Sequence, residues 1–200
     1  MSPEIYQHIE KMLQKDFIYD AVLEIGAVGS DDDLIKMQCL SSARIRVGVG
    51  EGCQNFKGII QYIQRNANDL SCFEDDSFDL ILCNSIFEHD PYFWKTLSEI
   101  KRVLSPGGKL IIGVPIYGDM GMKSFFPKKR TLSKLINRFL KLLSLDYLKA
   151  STPVLGIHNY PEDYYRFSKT AIRDVLLQGY HSVEITQLMM PPRILASAVK

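Results

Sequence analysis

The chain of 200 residues lacks several things that would narrow its role at once. It has no charge imbalance: 24 Lys and Arg against 23 Asp and Glu leave a formal net charge of +1. A dedicated nucleic-acid-binding domain is usually basic as a whole, so no nucleic-acid partner is expected. Metal-ligand spacing is missing too. Cys39, Cys53, Cys72 and Cys83 lie far apart, with no C-x-x-C and no Cys/His pattern, which argues against a structural zinc site. They read as small buried hydrophobes in a reducing compartment. No apolar run approaches the ~20 residues needed to span a bilayer, and the opening "MSPEIYQHIEKMLQKD" has no signal-peptide core. A cytoplasmic location is expected. There is no internal repeat and no low-complexity tract. The length suits one domain over residues 1–200, and 46% hydrophobic residues are enough for a sizeable core.

What is present is an alternation of strands and helices. Residues 3–15 put Ile5, Ile9, Met12 and Leu13 at helical spacing, with Ser2 placed to cap them. "YDAVLEIG" is a buried strand. "DDDLIKMQCLSS" fits a short helix with acids in its first turn, where the helix dipole favours them. "ARIRVGVG" and "IIQYIQRN" are the second and third strands, and "EGCQNFKG" between them is too short for a full crossover helix. "SFDLILCNS" is a fourth, continuously apolar as in the middle of a parallel sheet. Residues 91–104 form a helix with Phe93, Leu97, Ile100, Val103 and Leu104 on one face. "SPGG" ends it, and Lys109 to Pro115 is a fifth strand. "SKTAIRDVLLQGY" is a helix that Ser168 caps. "HSVEITQL" and the residues after the "MMPP" turn are the last two strands, the final one antiparallel. Residues 116–157 interrupt this rhythm as a helical insert. The helix near 131–149 has a wide apolar stripe, and Lys123 to Lys149 hold eight basic residues and one acid, Asp146. It reads as a lid, a dimer helix, or an interfacial helix in peripheral contact with an anionic membrane.

In such a sheet a ligand lies beyond the carboxyl ends of the strands, at the switch point of the topology. "AVLEIGAVGS" falls there. It looks like a nucleotide-cofactor loop of the form G-x-G-x-G, but the three places hold Gly26, Val28 and Ser30, with Gly29 off register. Glycine is favoured where backbone must approach a ligand. A β-branched residue disfavours positive φ, so Val28 is expected to cost local strain, with Gly29 supplying freedom beside it.

Four stretches occur in a telling order: "VLEIGAVGS", "NANDLSCFEDDSFDLILCNSIFEH", "EIKRVLSPGGKLIIGVP" and "HNYPEDYYRFSKTAIRDVL". In these the chain resembles the class I S-adenosylmethionine-dependent methyltransferases, in particular the small bacterial type 11 methyltransferase domains, over nearly all of its length from Asp20. The last stretch also resembles a subgroup associated with surface-polysaccharide biosynthesis. The resemblance implies a Rossmann-like α/β fold: seven strands, mostly parallel with the last antiparallel, flanked by helices, and a helical insert after the fifth. It implies S-adenosylmethionine as cofactor, with Glu24, Gly26, Ala27, Gly29, Glu51, Asn66, Ala67, Asn68 and Asn84 as its binding residues. Two family acids are replaced. Gly50 stands at the place of the ribose acid, with Glu51 next to it. Asn66 stands at the place of the adenine-facing acid, where an amide oxygen can still accept from an amine.

Methyl transfer is an in-line displacement at an activated carbon, so the protein chiefly aligns the reactants and excludes water. A hydroxyl acceptor also benefits from a general base. The candidates are Glu88 and His89 after the fourth strand, and His158 and Asp163 after the insert. Each has a plainer reading: Glu88 bonding backbone, His89 or Asp90 capping a helix, Asp163 pairing with Arg166. Tyr160, Tyr164 and Tyr165 either pave an acceptor pocket or pack around the insert. The leading expectation is O-methylation of a small-molecule or saccharide acceptor. The alternative is a non-catalytic methyltransferase-like module acting through protein contacts. A nicotinamide-dependent oxidoreductase is a distant third, because the glycine spacing is wrong for a dinucleotide turn.

Overall fold

The computed structural model describes residues 3–13, 18–116, 162–189 and 192–200. They belong to one compact unit, Met1–Ile116 with Pro161–Lys200. The insert expected over 116–157, beyond Ile116, with the helix expected near 131–149, and also Ser2, His158 and Tyr160 lie outside the described residues.

Seven strands form one sheet: β1 (Ala21–Ile25), β2 (Ile45–Val49), β3 (Gln61–Ile63), β4 (Phe78–Asn84), β5 (Leu104–Pro115), β6 (His181–Met189) and β7 (Pro192–Val199). Their order is β3-β2-β1-β4-β5-β7-β6. β1 pairs in parallel with β2 and β4, β2 with β3, and β4 with β5. Only β7 runs the other way, antiparallel to both β5 and β6. The chain leaves β1 in one direction across the sheet and returns at β4 on its other side. The switch point is therefore the β1/β4 boundary, where Gly26 lies.

The continuous apolar strands follow from burial on both faces. Leu23, Ile25, Ile81, Cys83, Leu110 and Ile112 pack on one side, under helix α2 (Phe93–Val103) and the helical segment Lys169–Leu176. Val22, Leu80, Leu82, Ile111 and Leu195 pack on the other, with helix α1 (Pro3–Leu13) and its buried Ile5, Ile9, Met12 and Leu13. Ser168 caps the helical segment by accepting from Ala171 N at 3.1 Å. Among the described residues, no helix is long and apolar enough to cross a membrane.

Three local expectations need correction. Residues 31–42 form two 3₁₀ turns, Leu34–Lys36 and Gln38–Leu40, instead of a helix, broken at Met37 with ψ 136°. The strand β5 is assigned from Leu104, with "SPGG" as an irregularity in its pairing with β4. Cys53 and Cys83 are buried, but Cys39 and Cys72 are exposed. Each exposed cysteine lies outside the strands that supply the core, in a loop or turn.

Candidate active site

The site is built from the turn after β1. Gly26 has φ +91°, and a Cβ there would come within 2.1 Å of Ile86 Cδ1. The positive φ calls for glycine, and any side chain there would also have to push Ile86 aside. The amides of Gly26 and Ala27 donate to Val49 O at 2.7 and 3.1 Å, which folds the turn onto the end of β2. That fold sets Ala27 O against Gly50, where a Cβ would lie 2.2 Å from it. The glycine at the place of the family's ribose acid is thus a steric requirement of this turn.

Val28 does not take a positive φ. The left-handed positions in the turn are Gly26 and Gly29, the latter at +80°. The expected strain at Val28 is absent because the turn moves its left-handed residue one place along. Its side chain is 56% exposed. A buried carboxylate, Asp33, holds this geometry. It accepts from Val28 N at 3.2 Å, Gly29 N at 2.9 Å and Ser30 Oγ at 3.3 Å. Glu24 works from below, accepting from Ile35 N at 2.9 Å. Burial pushes the Glu24 carboxyl up to about 7, against the lowering effect of the Ile35 and Leu34 amides.

A cavity of about 430 Å³ opens at the carboxyl ends of β1, β2 and β3. Ile25 and Gly26 contribute from β1, Val49, Gly50 and Glu51 from β2, and residues 65–68 from beyond β3. Ile86, residues 89–92, Glu162 and Tyr164 complete it. The volume is within the range of small-molecule sites. Its walls are apolar at Ile25, Val49, Ala67, Ile86 and Pro91, with a carboxylate at Glu51. Asn66 Nδ2 donates to Glu51 Oε1 at 3.1 Å, and Asn66 Oδ1 accepts from Asn68 N at 2.8 Å. Asn68 Nδ2 and Thr96 Oγ1 both donate to Asp90 Oδ2 at 2.7 Å, while Asp90 Oδ1 accepts from Tyr92 N at 2.8 Å. Asp90 thereby ties the segment after β3 to the start of α2.

Of the residues singled out in the sequence, Gly26, Glu51, Asn66, Ala67, Asn68 and His89 line this cavity together. Glu24, Ala27, Gly29, Asn84, Glu88 and Asp163 do not. Glu24 faces the 3₁₀ turn, and Ala27 is fully buried in the core. Gly29 borders a separate groove with Val28 and Phe56. Asn84 lies over β5, where a Cβ on Gly113 would be 2.1 Å from its Oδ1. Asp163 is gripped by Arg166 through both carboxylate oxygens. The plainer reading of Asp163 is the one that the geometry carries.

Glu88 is fully buried, and among the described residues neither of its oxygens has a hydrogen-bond partner. Burial raises its carboxyl to about 7, opposed chiefly by Arg193, whose Nη2 lies 3.8 Å from Oε1. His89 Nε2 is 4.0 Å from the same oxygen. His89 Nδ1 sits 3.3 Å from Glu162 O. The Glu88 carbonyl accepts from Tyr164 N and Tyr165 N at 2.8 and 3.2 Å, so the segment after residue 161 is fastened to this loop.

Several contributors were not foreseen. Arg65, Ile86, Tyr92 and Glu162 line the cavity. Ser85 at the end of β4 has φ +61°, and its Oγ accepts from Arg193 Nη2 at 2.5 Å. Arg193 had one available signal: it is the lone charge opening an otherwise apolar last strand. Asp33 had a weaker one, four residues beyond Gly29 in an acidic run.

The sheet order, the reversed last strand and the cavity at the switch point define a Rossmann-like α/β fold, the one found in solved class I methyltransferases. Residues 40–112 match the family described as "Methyltransferase domain". The match takes in about a third of the chain, and the fold is shared with solved S-adenosylmethionine-dependent methyltransferases. It is 38% identical over 68 residues to a ubiquinone/menaquinone biosynthesis C-methyltransferase from Brucella canis, covering 32% of this chain and 25% of that protein. It is 32% identical over 105 residues to an uncharacterised protein from Methanocaldococcus jannaschii, covering 48% of this chain and 51% of that one. The chain spans about half or less of the length of these curated relatives. In structure it resembles Haemonchus contortus phosphoethanolamine N-methyltransferase 2, solved with phosphomonomethylethanolamine and S-adenosylhomocysteine. There the TM-score is 0.63 at 15% identity, covering 100% of this chain and 53% of that one. It also resembles the Burkholderia thailandensis 1,6-didemethyltoxoflavin-N1-methyltransferase, with TM-score 0.58 at 14% identity, covering 99% and 77%.

Proposed function

We propose that this domain transfers a methyl group from S-adenosylmethionine to a hydroxyl of a small-molecule or saccharide acceptor. The observation that carries this reading is the cavity at the switch point, with apolar walls and with Glu51 and His89 in its lining. A nucleoside needs such a mixture. Glu51 would accept from a ribose diol, the 66–68 segment would border the adenine, and Ile86 would press on its face. The cofactor supplies a methyl carbon already activated by a sulfonium. The turn amides at 26–29 are all engaged within the protein, so this turn shapes the cavity and does not supply free donors to it.

His89 is the proposed general base. With its proton on Nδ1, 3.3 Å from Glu162 O, Nε2 is the ring nitrogen that would take the proton of an acceptor hydroxyl. Tyr92 and Tyr164 stand half-exposed at the mouth, where their faces suit the apolar side of a sugar ring. Three of the compared proteins are named for carbon or nitrogen acceptors. The oxygen reading rests on His89, because a hydroxyl is the acceptor that most needs a base.

Calorimetry with S-adenosylhomocysteine is the first test. Gly26→Leu should abolish binding while the circular dichroism spectrum is kept. His89→Gln should leave cofactor affinity within about threefold while lowering turnover of a hydroxyl acceptor by about 10²- to 10⁴-fold. No wild-type binding at about 1 mM cofactor, an affinity weaker than about −4 kcal/mol, would sink the proposal. Turnover that ignores His89 would sink the base assignment alone.

A further inference from the structure

We propose that Asn66 is a positioning residue: its amide holds the Glu51 carboxylate in place, and the acid the family usually carries at this position would weaken cofactor binding here. The inference rests on the S-adenosylmethionine reading of the cavity.

The geometry fixes which end of the Asn66 amide faces which partner. Asn68 N donates to Asn66 Oδ1 at 2.8 Å, and a backbone N–H cannot be turned into an acceptor. The amino end must therefore face Glu51, and it does so at 3.1 Å from Oε1. Among the described residues Asn66 is the one hydrogen-bond donor to the Glu51 carboxylate, while the Glu51 backbone carbonyl accepts from Gln64 Nε2 at 3.1 Å. An aspartate at 66 would keep the Asn68 bond with one oxygen and set its second oxygen against the Glu51 carboxylate. Two carboxylates at that separation repel, and cannot both ionise without cost.

Why this residue differs from the family pattern then follows from the turn. Gly50 has no room for a side chain because Ala27 O would lie 2.2 Å from its Cβ. The ribose-facing acid has moved one residue on, to Glu51, and that places it beside residue 66. The two replacements are one change. The other charged or titratable groups on the cavity are Arg65, His89, Asp90, Glu162, Tyr92 and Tyr164. Arg65 is paired with Asp69 at 3.0 Å, and Asp90 with Asn68 and Thr96.

Glu51 and Asn66 are both exposed in the protein alone. Water would screen the two charges there, and a ligand lying over them would remove that water. The effect should thus appear in affinity and not in fold stability. S-Adenosylhomocysteine binding is measured for wild type, Asn66→Asp, Glu51→Gln and the double variant, at about pH 8 and about pH 5.5. Asn66→Asp should bind about tenfold more weakly than wild type at the higher pH, with the gap closing at the lower pH as the pair shares a proton. In the Glu51→Gln background the same substitution should cost less than about twofold, because the new amide can donate to Asp. Melting temperatures should agree within about 2 °C, the shift expected from a fraction of a kcal/mol. An Asn66→Asp variant that binds as tightly as wild type, or one whose penalty is the same with and without Glu51, overturns the proposal while leaving the cofactor reading intact. Absence of wild-type binding overturns both.

Discussion

A missing glycine costs nothing if the residue that replaces it never enters the left-handed region. Val28 is such a residue: the positive φ in its turn belongs to Gly26 and Gly29, and the valine side chain points into solvent at 56% exposure. Val28→Gly is therefore expected to leave S-adenosylhomocysteine affinity within about threefold. It should destabilise the fold by about 0.5–1 kcal/mol, through the added freedom of the unfolded chain. Titration and thermal melting of the two proteins side by side check both parts. Gly50 behaves in the opposite way. Gly50→Asp puts back the residue type common in the family, yet its Cβ must displace the Ala27 carbonyl. A loss of about 1–3 kcal/mol is expected, with no gain in binding. Spacing alone shows which residue type departs from a pattern. Which φ each residue takes is decided by hydrogen bonds to partners such as Val49 and Asp33, and those are not visible in a window of ten residues.

At the scale of elements, the strands were legible because both faces of the sheet are covered, which forces unbroken apolar runs such as Leu80–Cys83. The crossover after β1 was not. Its acids look like the first turn of a helix, but Asp33 turns inward and uses its carboxylate on the preceding amides. Side-chain bonding of that kind competes with helix formation, and two 3₁₀ turns result. The turn from Gly26 to Lys36 is thus a clasp closed by Asp33 from one side and Glu24 from the other. Asp33→Ala would leave the Val28 and Gly29 amides without their acceptor, at a cost of about 1–3 kcal/mol. Amide hydrogen exchange should locate the effect, with faster exchange at Val28 and Gly29 and little change at Leu23 or Val47 in the strands. Uniformly faster exchange would mean that Asp33 supports the whole fold and not this clasp. At the cavity, the foreseen residues are those that follow strand ends directly, namely Gly26, Glu51, Asn66 and His89. The unforeseen Glu162 is fastened there by tertiary bonds, from His89 Nδ1 to Glu162 O and from Tyr164 N to Glu88 O, while Tyr92 is set by its own loop through the Asp90 carboxylate.

At the scale of the whole molecule, the reversed β7 carries Arg193 to a point 108 residues from Ser85 in sequence and 2.5 Å from its hydroxyl. No local pattern relates the two. Beside them Glu88 is buried, 3.8 Å from the guanidinium, and burial outweighs that attraction, so its carboxyl is raised to about 7. Glu24, buried on the other face, is raised to about 7 as well. A carboxyl raised in the folded state stays protonated while the unfolded chain has already lost its proton. Its contribution to stability is therefore fully present below about pH 4.5, the ordinary value for glutamate, and is lost as pH rises through about 7. Glu99 opposes this at the acid end, because Arg102 lowers its carboxyl and that contribution is lost as pH falls. The stability of the wild type should therefore decline between about pH 5 and pH 8. Glu88→Gln resembles the protonated side chain permanently. It should match wild type near pH 5 and exceed it by roughly 1–3 kcal/mol at pH 8, the bound set by about two and a half units at 1.36 kcal/mol each. Denaturant melts of both proteins across this range give the difference directly. If the difference does not change with pH, or if glutamate becomes the more stabilising residue at pH 8, then Glu88 is ionised in the native protein. Its pairing with Arg193 would then outweigh its burial.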